Sequence, residues 1–281
     1  MPWRLSDDVD AFADGAWDLL AAAPAEHTVA LTIVVSLRAG RWWSDSPALF
    51  GWYLDGAQVR GAVCMTPPFE MLLAVVPAEA LAELVAALRA ADVALPGVNG
   101  DVTTVERFAD AWLEGTALRA HTVFEQRLYA LGELRPPPQP PPGRARTAAD
   151  ADLDLAARWL RAFQKEAGVP ATDVERLARA SIDDRRLWLW EDEGGTAVAL
   201  AGRTVPAAGM SRVAPVYTPP ASRRRGYGTA VTAACTADAL DQGADHVVLF
   251  TDLANPTSNA IYQRIGYRPL SDRRVVRFEP S

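Results

Sequence analysis

Val213-Ala-Pro-Val-Tyr-Thr-Pro-Pro-Ala-Ser-Arg-Arg-Arg-Gly-Tyr-Gly-Thr-Ala230 decides how the rest of this chain is read. It predicts a strand over 210–217, a tight loop, and a helix over 228–242 that stops at Gly243. A glycine-bearing turn that opens a helix aims several backbone N–H groups at one point, where the helix dipole also favours negative charge. Gly226 and Gly228 let the main chain come close to a phosphate, and Arg223, Arg224 and Arg225 add positive charge. They do so in a chain of net charge −7, with 28 basic residues against 35 acidic ones. That combination asks for a pyrophosphate. Neither the GxxxxGK(S/T) of a P-loop nor the GxGxxG spacing of a dinucleotide fold is present.

On either side of the loop the periodicity predicts alternating elements. Helices over 149–167 and 174–180 precede strands over 186–191, 196–205 and 210–217. A buried-type strand over 246–251, a helix over 257–265 and a last strand over 274–278 follow. Six prolines between Arg135 and Gly143 exclude helix and central strand, and read as an extended connector. They divide the chain into 1–134, a linker at 135–145, and 146–281. The first part repeats the order loosely: helices over 8–23 and 28–37, strands over 49–54, 58–65 and 71–76, helices over 78–91 and 104–113, and a strand over 122–131. Thr66-Pro67-Pro68 and Thr218-Pro219-Pro220 each lie near a strand that precedes a long helix, which with the element order supports an internal duplication. The first half has no glycine loop and no arginine after its third strand, so a pyrophosphate site cannot be argued there. Trp42, Trp43 and Trp52 concentrate aromatic surface in it and read as core packing.

Composition bounds the function classes. The hydrophobic fraction of 49% and charged fraction of 22% are those of a chain with a proper core. Two separated cysteines and three separated histidines argue against a structural zinc site. The acidic balance gives nucleic-acid binding no general support. The longest apolar stretch, 29–37, is too short to span a bilayer, and the acidic start is unlike a secretory signal. A cytoplasmic protein without membrane or nucleic-acid partners is expected.

Arg223-Arg-Arg-Gly-Tyr-Gly228 has the form (Q/R)-x-x-G-x-G. It is followed by Phe250-Thr-Asp-Leu-Ala-Asn-Pro-Thr-Ser-Asn-Ala-Ile-Tyr-Gln-Arg-Ile-Gly-Tyr-Arg-Pro269. Together they resemble the two-part signature of the GCN5-related N-acetyltransferases (GNAT), over residues 146–281. The resemblance implies an α/β fold with a mixed sheet. With the duplication, it implies tandem domains of which only the second keeps the acyl-CoA loop. It also implies acetyl-CoA as co-substrate, no metal, and a small-molecule or peptide amine as acceptor; a homodimer is allowed. By the same resemblance, Val216, Tyr217 and Thr218 would meet the pantetheine arm in a gap where their strand leaves its parallel neighbour. The loop from Arg223 through Arg224, Arg225, Gly226, Tyr227 and Gly228 to Thr229 would hold the pyrophosphate, mainly by its amides. Asn255 and Ser258 would contact the cofactor, and Tyr262 would donate a proton to the departing thiolate. Asn255-Pro-Thr-Ser258 is equally a turn and cap sequence, with Asn255 or Thr257 as cap, and Tyr262 suits a helix core. Asp252, Glu166 and Glu125 are the candidate bases. The first half is expected to share the fold and form one wall of the acceptor cleft. A non-catalytic acyl-CoA-binding or sensing protein is the alternative.

Overall fold

The computed structural model describes residues 2–41 and 46–281, without the side chains of 256–258. Trp42 and Trp43 lie outside the described residues. The chain forms two compact units: Met1–Leu128 with Asp252–Ala254 and Leu270–Ser281, and Tyr129–Thr251 with Asn255–Pro269.

The first part of the chain runs β1 (Trp3–Ser6), α1 (Val9–Ala21), α2 (Thr28–Arg38), β2 (Leu49–Asp55), β3 (Gln58–Met65) and β4 (Met71–Val75). A 3-10 turn at Ala78–Ala80 leads into α3 (Leu81–Ala90), then β5 (Gly97–Asp101), α4 (Val102–Leu113) and β6 (Leu118–Leu131). The second part repeats this order: β7 (Arg144–Thr147), α5 (Leu153–Ala167), α6 (Val174–Asp183), β8 (Leu187–Glu191), β9 (Ala197–Arg203) and β10 (Met210–Tyr217). A 3-10 turn at Pro220–Ser222 leads into α7 (Tyr227–Asp241), then β11 (His246–Asp252), α8 (Pro256–Arg264) and β12 (Tyr267–Pro280). The duplication read from the sequence is therefore one of whole folds.

Local chemistry explains the boundaries. Asp8 and Asp101 cap α1 and α4 by accepting main-chain N–H bonds, at 2.8 Å from Asp10 and 3.0 Å from Thr103. The turn at Asp55-Gly56 closes the β2–β3 hairpin, paired from Leu49↔Met65 to Asp55↔Gln58 with a register shift between Tyr53 and Leu54. In the second unit, side chains alternate across β8. Leu187 and Leu189 pack with Leu160 and Ile182 beneath α5 and α6, whereas Trp190 joins Val231, Cys235 and Val247 beneath α7. In the first unit, Met71, Leu73, Leu84, Leu88 and Phe108 form the core.

The unit division departs from the expected boundaries in two ways. Tyr129 belongs to the second unit's core, and Leu270–Ser281 belongs to the first unit. There β12 pairs antiparallel with β5, from Arg273↔Asp101 to Arg277↔Gly97, and buries Val276 in the first unit's core. The strand expected to close the second half thus closes the first unit. Carboxylates meet its arginines there: Arg274 with Glu125 at 2.6 Å and Glu106 at 2.5 Å, and Arg277 with Glu70 at 2.6 Å. Among the described residues, no helix is long and apolar enough to cross a membrane.

Candidate acyl-donor site

Strand β10 carries the first half of the site. It pairs parallel with β11 over three residues only, Met210↔His246, Ser211↔Val247 and Arg212↔Val248. Its other edge stays paired with β9 as far as Tyr217↔Leu200, across a register shift between Val213 and Val216. On the β11 side, Val213–Tyr217 is therefore left without a strand neighbour. Val216 and Tyr217 lie on this opened edge, and Thr218 follows it.

The loop that follows is the second half. Gly226 takes φ +83° as the N-terminal boundary residue of α7 and supplies no side-chain cap. Arg224 also adopts a left-handed conformation, φ +64°. In this geometry the backbone amides from Arg224 to Thr229 have no acceptor among the described residues, while Ala230 N–H closes the first helical bond to Gly226 O at 3.0 Å. Two half-exposed residues, Thr218 and Gly228, face each other closely: a Cβ on Gly228 would lie 3.0 Å from Thr218 Oγ1. Unpartnered N–H groups at a helix start are where an anion is favoured. Arg224 and Arg225 are exposed and form no ion pair among the described residues.

Arg223 behaves differently from its two neighbours. Its Nε donates to Thr218 O at 2.8 Å, and its Nη2 meets Glu166 Oε2 at 2.5 Å. Glu166 also accepts from the Tyr217 hydroxyl at 3.3 Å, and the Arg223 guanidinium lies 6.0 Å from the Tyr217 ring centroid. The Arg223 guanidinium is thus engaged in bracing the loop against α5. Burial, and then the Glu166 charge, raise the Tyr217 phenol above its usual range. Tyr227 is not a surface loop residue: it is buried in the second unit's core, so only its backbone can serve a ligand.

Helix α8 carries Tyr262, which is 9% exposed and stacks edge-on against Tyr267 with ring centroids 6.2 Å apart. Its hydroxyl has no hydrogen-bond partner among the described residues, and burial pushes its pKa up to about 12. Asn255 is exposed just before α8, and its carbonyl accepts from Asn259 Nδ2 at 2.8 Å. The side chain of Ser258 lies outside the described residues.

Sequence reading missed the group that holds α8. The fully buried Tyr129 donates to Asn259 Oδ1 at 3.0 Å and accepts from Gln263 Nε2 at 3.1 Å, and Thr251 adds a bond to Asn259 at 3.3 Å. The available signal was the polar pair Asn259 and Gln263, one helical turn apart and flanking Tyr262. The candidate bases are all engaged. Glu166 braces Arg223, Glu125 meets Arg274 within the first unit, and Asp252 accepts from Ala254 N–H at 2.7 Å.

The first unit repeats the strand geometry but not the receptor. Strands β4 and β5 also pair parallel over three residues, Met71↔Val98 to Leu73↔Gly100. The segment after β4 is Val76-Pro77 followed by Glu79 and Glu83, carboxylates at the very helix start where an anion would sit.

Residues 153–267 match the family model described as the acetyltransferase (GNAT) family. Residues 153–267 form a GNAT-family domain. Solved structures share the fold along the whole length. A GNAT-family acetyltransferase from Colwellia psychrerythraea covers 100% of each chain at 13% identity, with a TM-score of 0.62. A GCN5-related N-acetyltransferase from Sphaerobacter thermophilus covers 99% of this chain and 95% of its own at 18% identity, TM-score 0.63. A tandem GNAT protein from the clavulanic acid biosynthesis pathway covers 99% and 98% at 14% identity, TM-score 0.59. No curated protein sequence matches the chain. The GNAT domain contains both the opened β10 edge and the bare amides of the α7 loop. Among the described residues no cluster of histidine, cysteine and carboxylate groups could hold a metal ion.

Proposed function

We propose that the GNAT domain moves an acetyl group from acetyl-CoA to an amine by direct attack in a ternary complex, without a covalent enzyme intermediate. The observation that carries this reading is the opened edge of β10 leading straight into a loop of unpartnered amides. A pantetheine arm is a short chain of amides, and it can pair with the exposed β10 edge as a strand would. The pyrophosphate then falls at the amides from Arg224 to Thr229, with Asn255 and Ser258 as further contacts to the donor.

In the reaction the neutral amine nitrogen attacks the acyl carbon, the C–S bond breaks, and the sulfur leaves with the electron pair. The proton lost by nitrogen passes to water, since each candidate carboxylate already holds a partner. Tyr262 stays protonated across the neutral range. With the phenol at about 12 and a thiol near 8.5, complete transfer to the thiolate is uphill by roughly 3 to 4 pKa units, about 5 kcal/mol. Tyr262 therefore serves the leaving sulfur as a hydrogen-bond donor rather than as a full acid.

The test is release of free CoA thiol from acetyl-CoA by the purified full chain across a panel of primary amines. Amine-dependent release supports the reading. Tight CoA binding with no amine-dependent release for any amine would overturn it in favour of a sensing role.

A further inference from the structure

The proline segment does not run free between the two halves of the chain. Within the second unit, Gly132 N–H donates to Gly266 O and Arg135 N–H to Ile265 O, each at 3.0 Å, just past the end of α8. Further on, Trp190 Nε1 donates to Pro142 O at 3.2 Å, and a Cβ on Gly226 would touch Pro141 at 3.8 Å. The strap therefore passes from the end of the helix bearing Tyr262 to the start of α7. Pro136, Pro138, Pro140 and Pro142 are exposed along it, and Pro141 is half-buried.

We propose that this strap is the outer wall of the acyl-donor site and takes the nucleotide end of the donor. The proposal rests on the acyl-CoA reading above. Past the pyrophosphate, CoA continues as an adenosine bearing a further phosphate, which needs a flat apolar surface beside positive charge. Proline rings supply the first: they have no N–H to leave unsatisfied and no side-chain rotamers to immobilise. The exposed Arg224 and Arg225 of the same loop supply the second. A wall already held by hydrogen bonds at both ends costs little ordering when the ligand arrives.

The test compares CoA with 4′-phosphopantetheine, which keeps the pantetheine arm and one phosphate but lacks the nucleotide, by calorimetry on the full chain. Wild type should prefer CoA by at least about tenfold. The variant P140S/P141S/P142S should lose most of that preference while its affinity for 4′-phosphopantetheine stays unchanged. Hydrogen exchange on the wild-type protein checks the same claim without a mutation. CoA should slow exchange at Gln139 and Gly143, and 4′-phosphopantetheine should not. Full retention of the CoA preference in the variant, or no difference between the two ligands in exchange at the strap, overturns the proposal while leaving the acyl-CoA reading intact. No binding of either ligand to wild type overturns both.

Discussion

In the proposed reaction Tyr262 serves the leaving sulfur and Gly226 opens the phosphate loop, and each makes a separate prediction. The Tyr262 phenol is raised by burial to about 12 and has no protein partner among the described residues, so the donor's sulfur is the partner proposed for it. Tyr262→Phe keeps the ring contact with Tyr267 and removes one hydrogen bond to a developing thiolate. It should lower kcat by about ten- to a hundredfold and leave the Kd for CoA nearly unchanged. Because the folded-state value lies above the ordinary 10, the phenol stays protonated as pH rises and ionises only near 12. A pH profile of wild-type kcat should therefore show no falling limb from Tyr262 below pH 10, and such a limb shared by wild type but absent from Tyr262→Phe would contradict the assignment. The family motif containing both residues was legible in the sequence because its spacing lies within one loop and one helix. The brace of Glu166 on Arg223 was not, since the partners lie 57 positions apart and meet only through packing of α5 against β10.

At the scale of elements, α8 is held by a polar network as well as by the packing of Ile261 and Tyr262 in the second unit's core. Tyr129→Phe leaves the volume filled and removes the hydroxyl shared by Asn259 and Gln263. Exposed Gln263 can turn to water, but the part-buried Asn259 Oδ1 loses its 3.0 Å donor. The change should cost about 1–2 kcal/mol in urea unfolding and lower kcat more than it weakens CoA binding. An unchanged unfolding midpoint would show that this hydroxyl does not secure the helix. Elements with strong periodicity, such as α5 and β10, were legible with nearly correct ends. Strand β5 was not, because Gly97-Val-Asn-Gly-Asp101 is rich in residues that disfavour strands. It is extended because it lies between β4 and β12, which hydrogen-bond to it on both sides.

For the whole molecule, the order of the helices and of most strands in each half was legible, but β1, β5 and β7 and the exchange of the closing strand were not, because short segments carry little periodicity and local patterning says nothing about which sheet a strand joins. The exchange has a practical consequence. Removing residues 1–134 takes away β5, leaving Val276 of β12 without the core it enters, and it also removes Tyr129 from the second unit. That fragment should be aggregation-prone in size-exclusion chromatography, and a monodisperse fragment with native CoA affinity would contradict the shared-strand account. The central claim is that one acyl donor binds per chain, at the α7 loop of the GNAT domain, while Glu79 and Glu83 close the corresponding helix start in the first unit. Calorimetric titration of CoA into wild type and Gly226→Glu tests it most directly, with thermal melting to confirm that the variant folds. The account predicts one CoA per wild-type chain and an affinity reduced at least about a hundredfold in the variant, whose carboxylate takes the phosphate's place. Two CoA per chain, or unchanged affinity in a folded Gly226→Glu protein, would contradict it.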